Sequence, residues 1–164
     1  NKMKTFKWQR SLQMPVAAPL EIVWEIVSDY YELLKWFPGV TSCERVEGAP
    51  LQGVGCIRRC TVPSPPERDG MELWADEKLV AMDATNHSYT YVITDTNMDW
   101  FQDYKAILQV VEGEEEGKCL IKWNLQLREL MPGHSEQDVT AFFSSKLSSI
   151  VKKLEEIASA KKQS

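Results

Sequence analysis

Ser135 to Ala160 reads SEQDVTAFFSSKLSSIVKKLEEIASA, with apolar residues at Val139, Phe143, Leu147, Ile150, Leu154 and Ile157. Steps of three and four place these side chains in one stripe on an α-helix. Ser135 with Asp138 forms a capping box, Asp standing in for the usual Glu or Gln. Glu136 and Asp138 sit at the positive end of the helix dipole; Lys152, Lys153, Lys161 and Lys162 lie towards its negative end. Pro132-Gly133 stops whatever precedes it. At about 1.5 Å per residue the helix would be about 40 Å long. No other segment is as long or as amphipathic, so a broad apolar surface must cover the stripe.

The rest of the chain supplies that surface as strands. Phe6 to Met14 alternates, with Phe6, Trp8, Leu12 and Met14 on one side, as a half-buried strand does. Ala18-Pro19 opens a helix with Pro19 at its first position and Ile22, Val23, Ile26, Val27 and Tyr30 on its apolar face. A second short helix is predicted over about Tyr30 to Lys35, ended by Phe37-Pro38-Gly39. From Val40 the period changes to two. Strands are predicted over Ser42–Glu47, Gly55–Val62, Met71–Met82, Ser88–Thr94, Asp103–Glu112 and Lys118–Arg128. Pro63 to Gly70 reads as a mobile loop, and the acidic run Glu112 to Gly117 as a solvated hairpin.

Short connections among six consecutive strands imply antiparallel pairing, with the first strand at an edge. The fold class is therefore α+β: a curved seven-stranded antiparallel sheet, two short helices, and the terminal helix across the sheet's apolar face. One helix cannot fill the concave side of such a sheet, so a mostly apolar cavity is expected between them. Residues 1–164 read as one domain, with 1–4 and 161–164 as frayed ends.

Composition excludes several functions. A net charge of −5 argues against nucleic acid or anionic membrane as partner. NKMKTFKWQR is polar and alternating, unlike a signal peptide, and no membrane span is predicted. Cys43, Cys56, Cys60 and Cys119 form no CxxC, and only His87 and His134 accompany them, so no metal site is predicted. They are read as reduced thiols of a cytoplasmic protein. Both histidines fall in predicted turns, which favours surface roles over general-base chemistry. No phosphate-binding glycine loop or triad spacing is present.

What remains are polar residues on otherwise apolar strand faces. Cys56, Arg58 and Cys60 share one face; Leu73, Ala75, Glu77 and Leu79 share another. If both point inward, a guanidinium and a carboxyl enter one apolar cavity. Burial opposes the charge on Glu77 and Arg58 favours it. A carboxyl so balanced can give and take a proton near neutral pH. Tyr89, Tyr91, Tyr104 and Trp123 could line the same space, with Phe143 on the helix stripe above. The opposite phase, with Trp74, Asp76, Lys78 and Val80 inward, leaves Glu77 a solvated strand charge.

Several runs carry a resemblance: Cys43-Glu44-Arg45-Val46-Glu47-Gly48, Gly55-Cys56-Ile57-Arg58, WADEKLVAMD from Trp74 to Asp83, Ser88-Tyr89-Thr90-Tyr91, Asp103-Tyr104-Lys105-Ala106, Gln109 to Gly113, and Trp123. In order and spacing, from about Trp8 to about Ile157, the chain resembles the lachrymatory factor synthase group of plants. That group belongs to the helix-grip superfamily of START domains, birch-pollen-type allergens and polyketide cyclase/dehydrase-like proteins. The resemblance implies an isomerase that converts a sulfenic acid to a thial S-oxide without a cofactor. Arg58 and Glu77 match its catalytic pair; Tyr91, Tyr104 and Trp123 match its cavity residues. Arg58 is then expected to hold the developing oxyanion and Glu77 to shuttle the proton. Three departures bear on the substrate: the Pro63–Gly70 loop is longer, Phe101 replaces Tyr, and Arg59 replaces an aromatic.

Two functions follow. One is a cofactor-independent isomerase or cyclase acting on a small plant metabolite. The other is a non-catalytic carrier of a lipid, flavonoid or hormone. An abscisic acid receptor is disfavoured, because TVPSPPERDG and TDTNMDWFQD lack that family's gate and latch sequences. The expected partner is a small hydrophobic or amphipathic ligand, and the expected state a monomer or weak dimer.

Overall fold

A computed structural model describes residues 6–64 and 70–162. Seven strands form one antiparallel sheet in the order β1-β7-β6-β5-β4-β3-β2. They are β1 (Trp8–Val16), β2 (Ser42–Arg45), β3 (Ile57–Val62), β4 (Leu73–Asp83), β5 (Ser88–Thr96), β6 (Lys105–Glu112) and β7 (Cys119–Leu127). Helix α1 spans Leu20–Val27 and α2 spans Glu136–Lys162. β1 pairs with β7 at the edge, as the two intervening helical segments require. This is the curved sheet gripping a terminal helix that the sequence predicts.

The ends of α2 follow from its sequence. Asp138 N–H donates to Ser135 Oγ at 3.1 Å and Ser135 N–H donates back to Asp138 Oδ2 at 2.9 Å, closing the capping box. These bonds hold the Asp138 carboxyl below its ordinary pKa. Val139, Phe143, Leu147, Ile150 and Leu154 are buried; Val151 and Ala158 join them, and Ile157 is only partly covered. The helix is pinned to the sheet by long-range bonds: Trp8 Nε1–H to Thr140 Oγ1 at 2.9 Å, and Ala17 N–H to Glu155 Oε2 at 2.8 Å. It continues past the expected end at about Ala160 to Lys162, the last described residue.

Three expectations are corrected. Pro19 is the N-cap of α1 rather than its first residue: its ψ of 148° is extended, and its carbonyl accepts from Val23 N–H at 3.1 Å. The second helix shrinks to one 3-10 turn at Leu33–Lys35. Its predicted start fails because the Tyr30 carbonyl is taken by Arg58 Nη1–H at 2.8 Å. β6 begins at Lys105, because Asp103 has a φ of +62°, a conformation Asp tolerates better than most residues but a strand does not. Register shifts at Asp76/Glu77 and Leu79/Ala81 interrupt β4 where it pairs with β5. Of the predicted mobile loop Pro63–Gly70, residues 65–69 lie outside the described residues.

Candidate functional site

Between the sheet and α2 lies a chamber of about 600 Å³. Strands supply Cys60, Ala75, Glu77, Tyr91 and Trp123, with Tyr104 immediately before β6. α2 supplies Phe142, Phe143 and Lys146. The rim comes from Phe37, Gly39 and Val40, from Met98, Trp100 and Phe101, and from Met131, Pro132 and His134. An apolar, aromatic wall with a few convergent polar groups is the character of a small-molecule site.

The acid–base candidates owe their position to strand register. Clean antiparallel pairing of β3 with β4 sets Arg58 opposite Glu77 and Arg59 opposite Asp76. Alternation sends the first pair inward and the second outward. Arg58 is 2% exposed, and its Nε–H donates to Glu77 Oε1 at 2.8 Å. Its guanidinium also lies 3.9 Å from the Tyr30 ring centroid. Burial disfavours its charge, but Glu77 and Tyr30 outweigh this and hold its pKa well above the ordinary guanidinium value. Glu77 keeps a 14% exposed side chain, and among the described residues its Oε2 has no hydrogen-bond partner. One carboxylate oxygen is therefore tied back and the other is available to the chamber.

A hydroxyl pair stands on the same wall. Trp123 Nε1–H donates to Tyr91 Oη at 3.1 Å, and Tyr91 Oη lies 3.2 Å from Tyr104 Oη. Two phenolic hydrogens serve one bond between the two rings, so one remains for a ligand whichever ring donates. Burial, then the charge of Glu77, pushes Tyr91 far above an ordinary phenol; burial, then Tyr91, does the same for Tyr104. Both are donors rather than bases. Phe143 is fixed by stacking on Trp8, with centroids 5.2 Å apart.

Cys60 lies across from Cys43 in the register of β2 and β3. The facing thiol and burial raise Cys60, and the same neighbour lowers Cys43. All four cysteines are free thiols.

Glu77, Tyr91, Tyr104, Trp123 and Phe143 thus meet around one space, and two expected residues do not. Tyr89 shares a strand face with Tyr91 but packs against Trp24 and Tyr30, with centroids 6.1 and 5.9 Å away, and does not line the chamber. Arg58 does not line it either; it sits behind Glu77 with two nitrogens committed to protein oxygens. Of the departures from the family pattern, Phe101 lines the chamber, whereas Arg59 lies outside, 4.0 Å from the Trp74 ring centroid. Lys146 and His134 also line the chamber, the first without an expected site role and the second expected only as a surface turn residue. Helical spacing held the signal for Lys146, which is three residues from Phe143 and four from Phe142.

Residues 7–157 match the family model of polyketide cyclase / dehydrase and lipid transport. Similar solved structures include XoxI of Bacillus cereus, at 22% identity over 92% of this chain and 95% of that one, with a TM-score of 0.71. An uncharacterised protein of Bacillus thuringiensis aligns at 21% identity over 89% and 98%, with a TM-score of 0.69. Major latex-like protein 151 of Panax ginseng aligns at 18% identity over 92% and 96%, with a TM-score of 0.71. At these identities the likeness concerns the fold. No helix among the described residues is long and apolar enough to cross a membrane.

Proposed function

This chain belongs to the polyketide cyclase / dehydrase and lipid transport family, and from that premise we propose that it is a cofactor-independent isomerase or cyclase. It moves a proton within a small, largely apolar metabolite, and its resemblance to the lachrymatory factor synthases points to a sulfenic acid. The observation that carries the reading is Glu77: one oxygen held by Arg58 at 2.8 Å, the other free among aromatic side chains.

The reaction is a tautomerisation. One O–H bond breaks, one C–H bond forms, and no electrons leave the substrate. Glu77 takes the proton from the sulfenic oxygen as negative charge gathers there. The spare phenolic hydrogen of Tyr91 or Tyr104 bonds to that oxygen. The protonated Glu77 then delivers the proton to carbon. Arg58 fixes the carboxylate rotamer through the bond to Oε1. A positioned carboxylate of this kind contributes about 10²–10⁴ in rate.

The test is incubation with 1-propenesulfenic acid generated in situ. Glu77→Gln keeps the shape but cannot carry a proton, so product formation should fall at least about a hundredfold. Equal product from both proteins would remove the catalytic reading. The carrier reading draws support from the apolar wall. It requires that a bound ligand be retained equally by wild type and Glu77→Gln, with no turnover by either.

A further inference from the structure

We propose that Lys146 anchors an anionic group, so that the chamber selects small metabolites with an apolar or aromatic body and one acidic substituent. The inference rests on the chamber being the ligand site. It does not require that Glu77 act as a catalyst.

The charge balance inside the chamber gives the first argument. Glu77 is paired with Arg58, at 2.8 Å. Lys146 also lines the chamber, and no carboxylate among the described residues lies within ion-pair distance of its ammonium. Counting lysine, arginine and carboxylate side chains, the wall carries one uncompensated positive charge in a chain whose formal net charge is −5. The positive field is therefore local to the mouth.

The second argument is how the ammonium is held. A half-buried lysine ordinarily extends its head into water. Lys146 instead donates to the Pro38 carbonyl at 3.0 Å, with the rings of Phe37 and Phe142 at 5.7 and 6.0 Å. Gly39 makes room for it: a Cβ there would stand 2.7 Å from Nζ, and the backbone φ of +95° suits glycine. Of three ammonium donors, one is used by Pro38. A positioned cation with donors to spare beside an apolar cavity is completed by an anion, through a charge-assisted hydrogen bond. Lys146 and Glu77 reach the chamber from different elements, α2 and β4, so the acidic substituent need not be the group that reacts.

The experiment uses two dyes with the same rings. 1-Anilinonaphthalene-8-sulfonate carries an anion, and N-phenyl-1-naphthylamine carries none. Each is titrated by fluorescence into wild type, Lys146→Met and Lys146→Arg, and mutual displacement establishes a shared site. Lys146→Met should weaken the sulfonate dye about tenfold, the order of one charge-assisted bond at a half-exposed site, and leave the neutral dye within about twofold. Lys146→Arg should restore the sulfonate dye. Added salt should weaken the sulfonate dye in wild type and not in Lys146→Met. Equal weakening of both dyes by Lys146→Met would make the residue a packing element of the rim and overturn the proposal. Unchanged sulfonate binding would overturn it too. If wild type binds neither dye competitively, the chamber itself fails as a ligand site, which is a distinct outcome.

Discussion

β3 and β4 carry two arginine–carboxylate pairs back to back, one on each face of the sheet. Arg58–Glu77 faces in and Arg59–Asp76 faces out; each has Nε 2.8 Å from a carboxylate oxygen. The outer pair is closed. Arg59 makes a second bond, Nη2–H to Asp76 Oδ2 at 3.0 Å, and lies over Trp74, so both carboxylate oxygens are used. The inner pair is open: one oxygen of Glu77 has no partner, and Arg58 spends its second bond on the Tyr30 carbonyl. Similar residue types at equal distance thus differ in what they leave over. A closed pair holds strands together. An open one, in an apolar chamber, leaves a carboxylate oxygen for chemistry.

The largest expected effect is on stability, from Arg58→Met. It strips a partner from Glu77 and a donor from the Tyr30 carbonyl, and breaking a buried pair from one side costs about 3–5 kcal/mol. Urea denaturation measures it. A loss under about 1 kcal/mol would mean that the inner pair is solvated like a surface one.

Next comes the alkaline limit. The chain has five tyrosines, and burial raises every one of them, Tyr31 and Tyr89 to about 12 and Tyr30, Tyr91 and Tyr104 further. Unfolded tyrosines titrate near pH 10. A phenol raised by folding adds stability that is complete below about pH 10 and is lost as pH climbs through the folded values. Absorbance at 295 nm should therefore show little phenolate in the native protein at about pH 10–11, while the denatured chain titrates there. Phenolate near pH 10 from more than the partly exposed Tyr31 would show that the inner side of the sheet is wet.

The smallest effect is Arg59→Met. Its guanidinium is 48% exposed, which screens the pair, but the Asp76 side chain is only 8% exposed and would lose both bonds, so the expected loss is about 1–3 kcal/mol. A loss as large as that of Arg58→Met would erase the distinction between the two faces.

The sequence carried the fold because its signals are local and redundant. The α2 stripe, the Ser135–Asp138 box and the turn glycines each speak for the same architecture, while strand alternation grouped Glu77 with Leu73, Ala75 and Leu79 and left open which face turns inward, a choice visible only in the structure. Alternation assigns a face, but not a depth along the strand. Tyr89 and Tyr91 share a face, yet only Tyr91 reaches the chamber, because Tyr89 is overlaid by Trp24 and Tyr30. The shielding of Arg58 depends on a carbonyl 28 residues away, which no periodicity encodes. Helical spacing sets Lys146 beside Phe142 and Phe143, but its bond to Pro38 joins segments 108 residues apart, which no periodicity encodes.

The most direct measurement sets Glu77→Gln beside Asp76→Asn, with turnover of sulfenic acid and urea stability read on the same preparations. The inner substitution should lower turnover by at least about a hundredfold while the protein still unfolds cooperatively. The outer one should cost stability and leave turnover of the folded fraction near wild type. Equal turnover in wild type and Glu77→Gln, or an equal fall in both variants, would contradict the assignment of proton transfer to the open pair.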